Sequence, residues 1–152
     1  MKYFYLLILI VLLANCQSTN QDSTKQIEST VLKEIDGLYQ DYTKSDLKWV
    51  EYYQDEYTVI STDGSVKFKK AKDLRDEWEN IYNKYEVILR NHGQPTVLAS
   101  QDQVIHYNTY DEIFIKRETR DTTVSLGTWI VVWKKQENNT WKINLETYHV
   151  KE

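Results

Sequence analysis

Glu146 and His149 place a carboxylate and an imidazole three residues apart, a spacing that on a helix would turn both toward one metal ion. On a strand, side chains three apart point to opposite faces, and residues 141–150 read as a strand, so no metal site is expected there. His106, in the step Val104-Ile105-His106-Tyr107, reads as a satisfied or solvent-facing strand histidine rather than a base. Elsewhere the chain has no glycine-rich phosphate loop, no nucleophile elbow and no paired cysteine ligands, and no cofactor is expected. Its one sulfur nucleophile is Cys16.

Cys16 stands behind the apolar run Leu6-Leu7-Ile8-Leu9-Ile10-Val11-Leu12-Leu13-Ala14, which follows a start carrying Lys2. A cationic start, an apolar stretch of about a dozen residues and a boundary form the pattern of a secretory signal. The run is too short to remain as a spanning helix, which needs about 20 apolar residues. Leu13-Ala14-Asn15-Cys16 resembles the lipobox of bacterial lipoproteins, although Asn15 stands where Gly, Ala or Ser is usual. The resemblance implies that residues 1–15 are a signal peptide, that Cys16 carries lipid, and that the protein is exported and anchored to a bacterial membrane at the cell envelope. The plainer alternative is a signal peptide with a cysteine nearby by chance.

Residues 16–24 hold no apolar side chain to bury after Cys16 and read as a flexible tether. The formal net charge is −4, one unit more negative once Lys2 leaves with the signal, so nucleic acid is not an expected partner. A lone cysteine cannot staple the fold by a disulfide within the chain. Residues 25–152 must therefore hold together by their core, as a single domain of roughly 100–150 residues can.

The elements that position these groups follow from periodicity. In 25–44, Ile27, Val31, Leu32, Ile35, Leu38, Tyr39 and Tyr42 fall on one helical face, interrupted only by Gly37. Asp46 can cap a short second helix over 47–53. Tyr57-Thr58-Val59-Ile60-Ser61 reads as a strand turning at Asp63-Gly64 into Ser65-Val66-Lys67-Phe68-Lys69. Helical spacing returns over 71–89, with Leu74, Trp78, Ile81, Tyr82, Tyr85 and Ile88 on one stripe, ended by Gly93 and Pro95. Residues 96–100, 104–116, 124–135 and 141–150 are β-rich. Helices followed by an antiparallel meander make an α+β layout with the helices on one face of a curved sheet.

This order of elements, with Asp46-Leu47 after the first helix, Tyr57-Thr58-Val59 before the turn, and Gly127-Thr128-Trp129 through Trp133-Lys134-Lys135 to Trp141-Lys142-Ile143, resembles the nuclear transport factor 2-like superfamily. Within it, the chain is most similar to the SnoaL-like, ketosteroid-isomerase-like bacterial branch, and the resemblance spans residues 25–152. It implies a cystatin-like cone: a strongly bent antiparallel sheet covered by three N-terminal helices, with a pocket between them and frequent homodimerisation through the sheet face. The isomerase members use an Asp base beyond the first strand, with a Tyr on the first helix and a protonated Asp on a late strand as oxyanion donors. Carried onto this chain, the base position falls at Ser61, with Asp63 two residues on, and the tyrosine position falls at Leu38, beside Tyr39. The late strand offers Trp129, Ile130 and Val131 in place of an acid. The steroid-isomerase set is thus absent, and no catalytic residue is assigned.

The aromatic load remains. Trp49, Trp78, Trp129, Trp133 and Trp141, with Tyr82, Tyr85, Tyr107, Tyr110 and Tyr148, exceed what a small core needs, and such side chains suit pocket walls as well as cores and interfaces. The expected ligand pocket comprises Trp78, Tyr82, Tyr107, Trp129 and Glu146. Strict alternation sets Trp129, Val131 and Trp133 on one face of their strand, and Trp141, Ile143 and Leu145 opposite Asn144, Glu146 and Tyr148 on theirs. Glu146 is the lone polar candidate if its face points inward, which periodicity does not decide. The sequence thus leads to a lipid-anchored protein with a domain that binds a small apolar or amphipathic molecule, or serves as an interaction module, without catalysis. Two other classes stay open. An isomerase, cyclase or dehydratase with relocated acid/base groups would show a pocket Asp or Glu of raised pKa, and a structural protein-binding subunit would show a pocket filled by its own side chains.

Overall fold

In the computed structural model, which describes residues 2–151 and side chains from Ser23 onward, the chain opens on helix α1 (Lys2–Thr43). The signal segment 1–15, the lipidation site Cys16 and most of the tether 16–24 lie outside the described side chains. The expected apolar face of α1 is the buried one: Val31, Ile35 and Leu38 are at most 3% exposed. Burying side chains of this size stabilises by roughly 1.5–3 kcal/mol each, before the chain entropy that opposes it. Gly37 has a packing reason, since a Cβ there would collide with the Tyr52 hydroxyl laid across the helix.

A 3-10 helix (Leu47–Tyr52) follows, and Asp46 caps it by accepting from the Lys48 backbone N–H at 3.0 Å. Strands β1 (Tyr53–Ile60) and β2 (Val66–Lys70) form the expected hairpin, with Gly64 at φ 80° in the turn, where glycine is free of Cβ strain. Helix α2 (Ala71–Lys84) then runs directly into β3 (Tyr85–His92). The helix expected over 71–89 therefore stops five residues early. Tyr85 and Ile88 fit helical spacing but, with Val87, are also strand formers, and the backbone of β5 supplies them with hydrogen-bond partners from Tyr85↔Lys116 to His92↔Tyr110.

Four strands remain as expected after β3: β4 (Thr96–Ala99), β5 (Gln103–Lys116), β6 (Thr122–Lys135) and β7 (Trp141–Val150). The seven strands form one curved, unclosed sheet in the order β2-β1-β7-β6-β5-β3, with β4 and β3 sharing one edge of the long β5. One pair departs from the antiparallel expectation: β1 and β7 run parallel, because α2 carries the chain across between hairpin and meander.

A second departure decides what faces inward. Val132 pairs with Leu145 but Trp133 pairs with Ile143, so Asn144 is an extra residue, a β-bulge in β7. Trp141 and Ile143 before it and Glu146 and Tyr148 after it thereby share one face, where strict alternation had opposed them. The inner face joins Val104, Val131, Trp133 and Ile143, none of them exposed, to Val31 and Ile35 of α1. The outer face carries two apolar rows that cross the sheet, Leu98-Ile105-Val132-Leu145 and Tyr107-Ile130.

Candidate functional site

Between the helices and the inner face of the sheet lies an open cavity of about 320 Å³. Helix α1 contributes Leu38, Tyr39 and Tyr42 to its wall, the 3-10 helix Trp49, and α2 Leu74, Glu77, Trp78 and Ile81. Tyr42, Trp49 and Trp78 meet edge to face, with ring centroids 5.2–5.6 Å apart and planes at 73–86°, the arrangement aromatic quadrupoles favour. The sheet supplies Tyr53, Val59, Tyr110, Trp129 and Tyr148. Gly127 admits Tyr110 to this wall, because a Cβ on it would stand 2.7 Å from the Tyr110 hydroxyl and would strike the His149 carbonyl.

Glu146 is the polar centre of the wall, turned inward by the bulge at Asn144. Its Oε2 accepts from the Tyr53 hydroxyl at 2.7 Å and from Trp129 Nε1 at 3.0 Å, while Oε1 accepts no hydrogen bond among the described residues. Removal from water holds its carboxyl above the usual range, against the two donors and the field of Lys69, which favour the charged form. Glu112 on β5 also lines the cavity and is likewise raised by burial, with Tyr42 opposing and Asp111 adding to the shift. Glu77 faces the cavity from α2 and accepts from Lys69 Nζ at 2.8 Å.

A buried relay reaches the cavity from behind. Trp133 Nε1 can only donate, so the His106 Nδ1 it meets at 3.2 Å is the acceptor nitrogen and the imidazole proton sits on Nε2. That N–H donates to Asn108 Oδ1 at 2.7 Å, and Asn108 Nδ2 donates to the Tyr39 hydroxyl at 2.7 Å and to the Thr109 carbonyl at 2.9 Å. Tyr39, stacked on His92 with centroids 4.2 Å apart, therefore receives a hydrogen bond and keeps its own proton for the cavity it lines. Desolvation lowers the His106 pKa to about 4 and raises that of Tyr39 to about 12, so both are neutral at pH 7.

The sequence matches no protein-family model and no curated protein. Solved structures do match. A nuclear transport factor 2-like superfamily protein of Salmonella enterica serovar Typhimurium aligns over 85% of this chain and 94% of its own, with a TM-score of 0.68 and 14% identity. A scytalone dehydratase candidate from Novosphingobium aromaticivorans aligns over 87% and 89%, with a TM-score of 0.72 and 8% identity. A ketosteroid isomerase-like protein of Erwinia carotovora atroseptica aligns over 82% and 95%, with a TM-score of 0.61 and 8% identity. The chain has the nuclear transport factor 2-like fold. Such low identities establish the fold and nothing finer.

On this nuclear transport factor 2-like cone, Trp78, Trp129 and Glu146 line the cavity. Tyr82 stands behind the wall, its hydroxyl accepting from Trp49 Nε1 at 3.2 Å, so it supports a lining residue without lining the cavity itself. Tyr107 is a correction: His106 and Asn108 on either side are buried inward, and alternation turns Tyr107 to the outer face, where it is 40% exposed. His149 and Glu146 fall on opposite faces, and among the described residues no cluster of three metal-ligating side chains occurs. His106 is the satisfied histidine, fully buried in the relay.

Sequence reasoning did not bring out Glu112, Glu77, Lys69, Tyr53 or the relay residue Asn108. Glu112 carried a usable signal, since it shares the even-numbered face of β5 with Val104, His106, Asn108 and Tyr110. Glu77 and Lys69 carried none, because a charged residue on a solvated helix or an edge strand looks the same with or without a cavity beside it.

Proposed function

We propose that this domain binds a small molecule in the cavity between the helices and the sheet. The observation that supports this is the cavity itself: about 320 Å³, within the roughly 300–1,000 Å³ of small-ligand pockets, walled by aromatic rings and provided with a few convergent polar groups. A pocket filled by its own side chains, the mark of a purely structural subunit, is not what the fold contains. Because Trp49, Trp78 and Trp129 all line the cavity, an occupant should change the tryptophan emission, and Leu74→Trp, which fills the space, should abolish that response. No change across a chemically broad panel at millimolar concentration would sink the reading.

A second reading has its own support. Glu146 is a pocket carboxyl of raised pKa with one oxygen not engaged by the protein, which suits proton transfer in an isomerase, cyclase or dehydratase acting on a small apolar substrate. Glu146→Gln separates the two, since binding retained with turnover lost marks a catalytic group, and equal turnover in both forms excludes it.

We also propose that lipid on Cys16 holds the domain at the cell-envelope membrane and that the apolar rows of the outer face pair with a second copy. One variant addresses both. Cys16→Ser should appear in the soluble fraction and scatter light as a dimer, while continued membrane attachment, or a monomer at micromolar concentration, would refute the respective part.

A further inference from the structure

The cavity wall carries three carboxylates and one ammonium. Glu77, Glu112 and Glu146 reach it from α2, β5 and β7, and the single cation, Lys69, is bound to Glu77. That pairing leaves the others without a counterion, for among the described residues neither Glu112 nor Glu146 forms an ion pair. Arg90, on the strand beside Glu112, is held instead by Asp111, with its Nε 2.8 Å from the carboxylate. Glu146 accepts only from the neutral groups of Tyr53 and Trp129, both on the same oxygen.

A carboxylate withdrawn from water without a countercharge is costly, and either a proton or a cation can relieve it. The rest of the wall discriminates between kinds of visitor. Aromatic faces carry the negative lobe of their quadrupole, so a cation resting on the face of Tyr42, Trp49, Trp78 or Trp129 is attracted where an anion is repelled. Resting on the small-ligand reading above, we propose that the ligand is an organic cation. An amine or quaternary ammonium on an apolar body would set its charge against Glu146 and Glu112 and its body against the tryptophans.

The pH dependence distinguishes this ligand from a neutral one. Glu146 is faced by Tyr53, Tyr57, Lys69 and Glu77, and Glu112 by Tyr42, Tyr39, Tyr82, Tyr110 and Asp111. Phenols ordinarily titrate near 10, so below that range it is ionisation of the two carboxyls, both raised by burial, that changes the charge a ligand meets. Affinity for a cation then rises with pH, whereas affinity for a neutral molecule that accepts a proton from Glu146 falls.

The test compares three probes of similar shape by titration calorimetry on the soluble Cys16→Ser protein: 3-hydroxyphenyltrimethylammonium, its uncharged counterpart 3-tert-butylphenol, and 3-hydroxybenzoate. The cation should bind at least about tenfold more tightly than the phenol at pH 7, where both hydroxyls keep their protons. The preference should shrink as the pH is lowered and collapse in Glu146→Gln, and the benzoate should bind most weakly. A phenol that binds as well as the ammonium would overturn the cation proposal while leaving a small-ligand pocket intact. Failure of all three to bind would overturn both. The comparison is made first on a chain with an intact pocket, so it stands even where the Glu146 variant does not fold.

Discussion

Lowering the pH from 7 to 4 should cost the folded domain about 3 kcal/mol through His106 alone. The imidazole is fully buried, and its pKa is lowered from 6.5 to about 4 because burial penalises the cation more than the Asn108 hydrogen bond favours it. The unfolded chain takes up a proton at ordinary histidine pKa, while the folded chain declines it. Between pH 6.5 and 4 the unfolded state thus binds more protons, and stability drains away as the pH falls through that window. Glu112 and Glu146 act with the opposite sign: their raised folded-state pKa values favour the folded protein at low pH, and that contribution disappears as the pH rises through them. Urea unfolding at pH 7 and pH 4 measures the balance. His106→Gln should lose much less on acidification than the parent protein, and an equal loss in both would show that His106 does not carry the effect.

Trp133→Ala should destabilise the domain by about 3–5 kcal/mol, the range for removing a large buried aromatic. The indole has no exposed surface, packs edge-on against Tyr52 with centroids 6.4 Å apart, and closes the far end of the relay. Trp133→Phe keeps most of the volume but strips His106 Nδ1 of its donor, at a smaller cost of about 1–3 kcal/mol. The two substitutions leave different signatures. In Trp133→Phe the vacated nitrogen is free to take a proton, so the folded-state pKa of His106 should rise toward the unfolded value, and the acid loss described above should be smaller and level off at a higher pH. Denaturant midpoints at several pH values for both variants would show this, and an unchanged acid profile in Trp133→Phe would contradict the relay.

Much of this architecture was legible in the residues. The face of α1 that packs on the sheet is written in the spacing of Val31, Ile35 and Leu38, and the long strands β5 and β6 in their β-branched and aromatic content. The boundary between α2 and β3 was not, because Tyr85 and Ile88 satisfy both the helical and the extended period, and only the backbone of β5 decides between them. Nor was the parallel contact of β1 with β7, which joins segments nearly ninety residues apart, such as Tyr53 and Ile143. The cavity was half legible. Trp78, Trp129 and Glu146 stand in its wall, but Tyr107 was misplaced for want of one parity, which the burial of His106 and Asn108 supplies.

The extra residue at Asn144 gives β7 two consecutive insides. Its first half, Trp141 and Ile143, belongs to the solid core, and its second half, Glu146 and Tyr148, belongs to the cavity, although an unbroken strand would have sent one pair out to solvent. Strand register therefore acts here as a chemical variable. If Asn144 took a regular place in the alternation, the same side chains would present Leu145 and Thr147 to the cavity and carry the carboxylate outside. A fold built this way can exchange a polar chamber for an apolar one by a one-residue slip beyond Ile143, with no residue type altered.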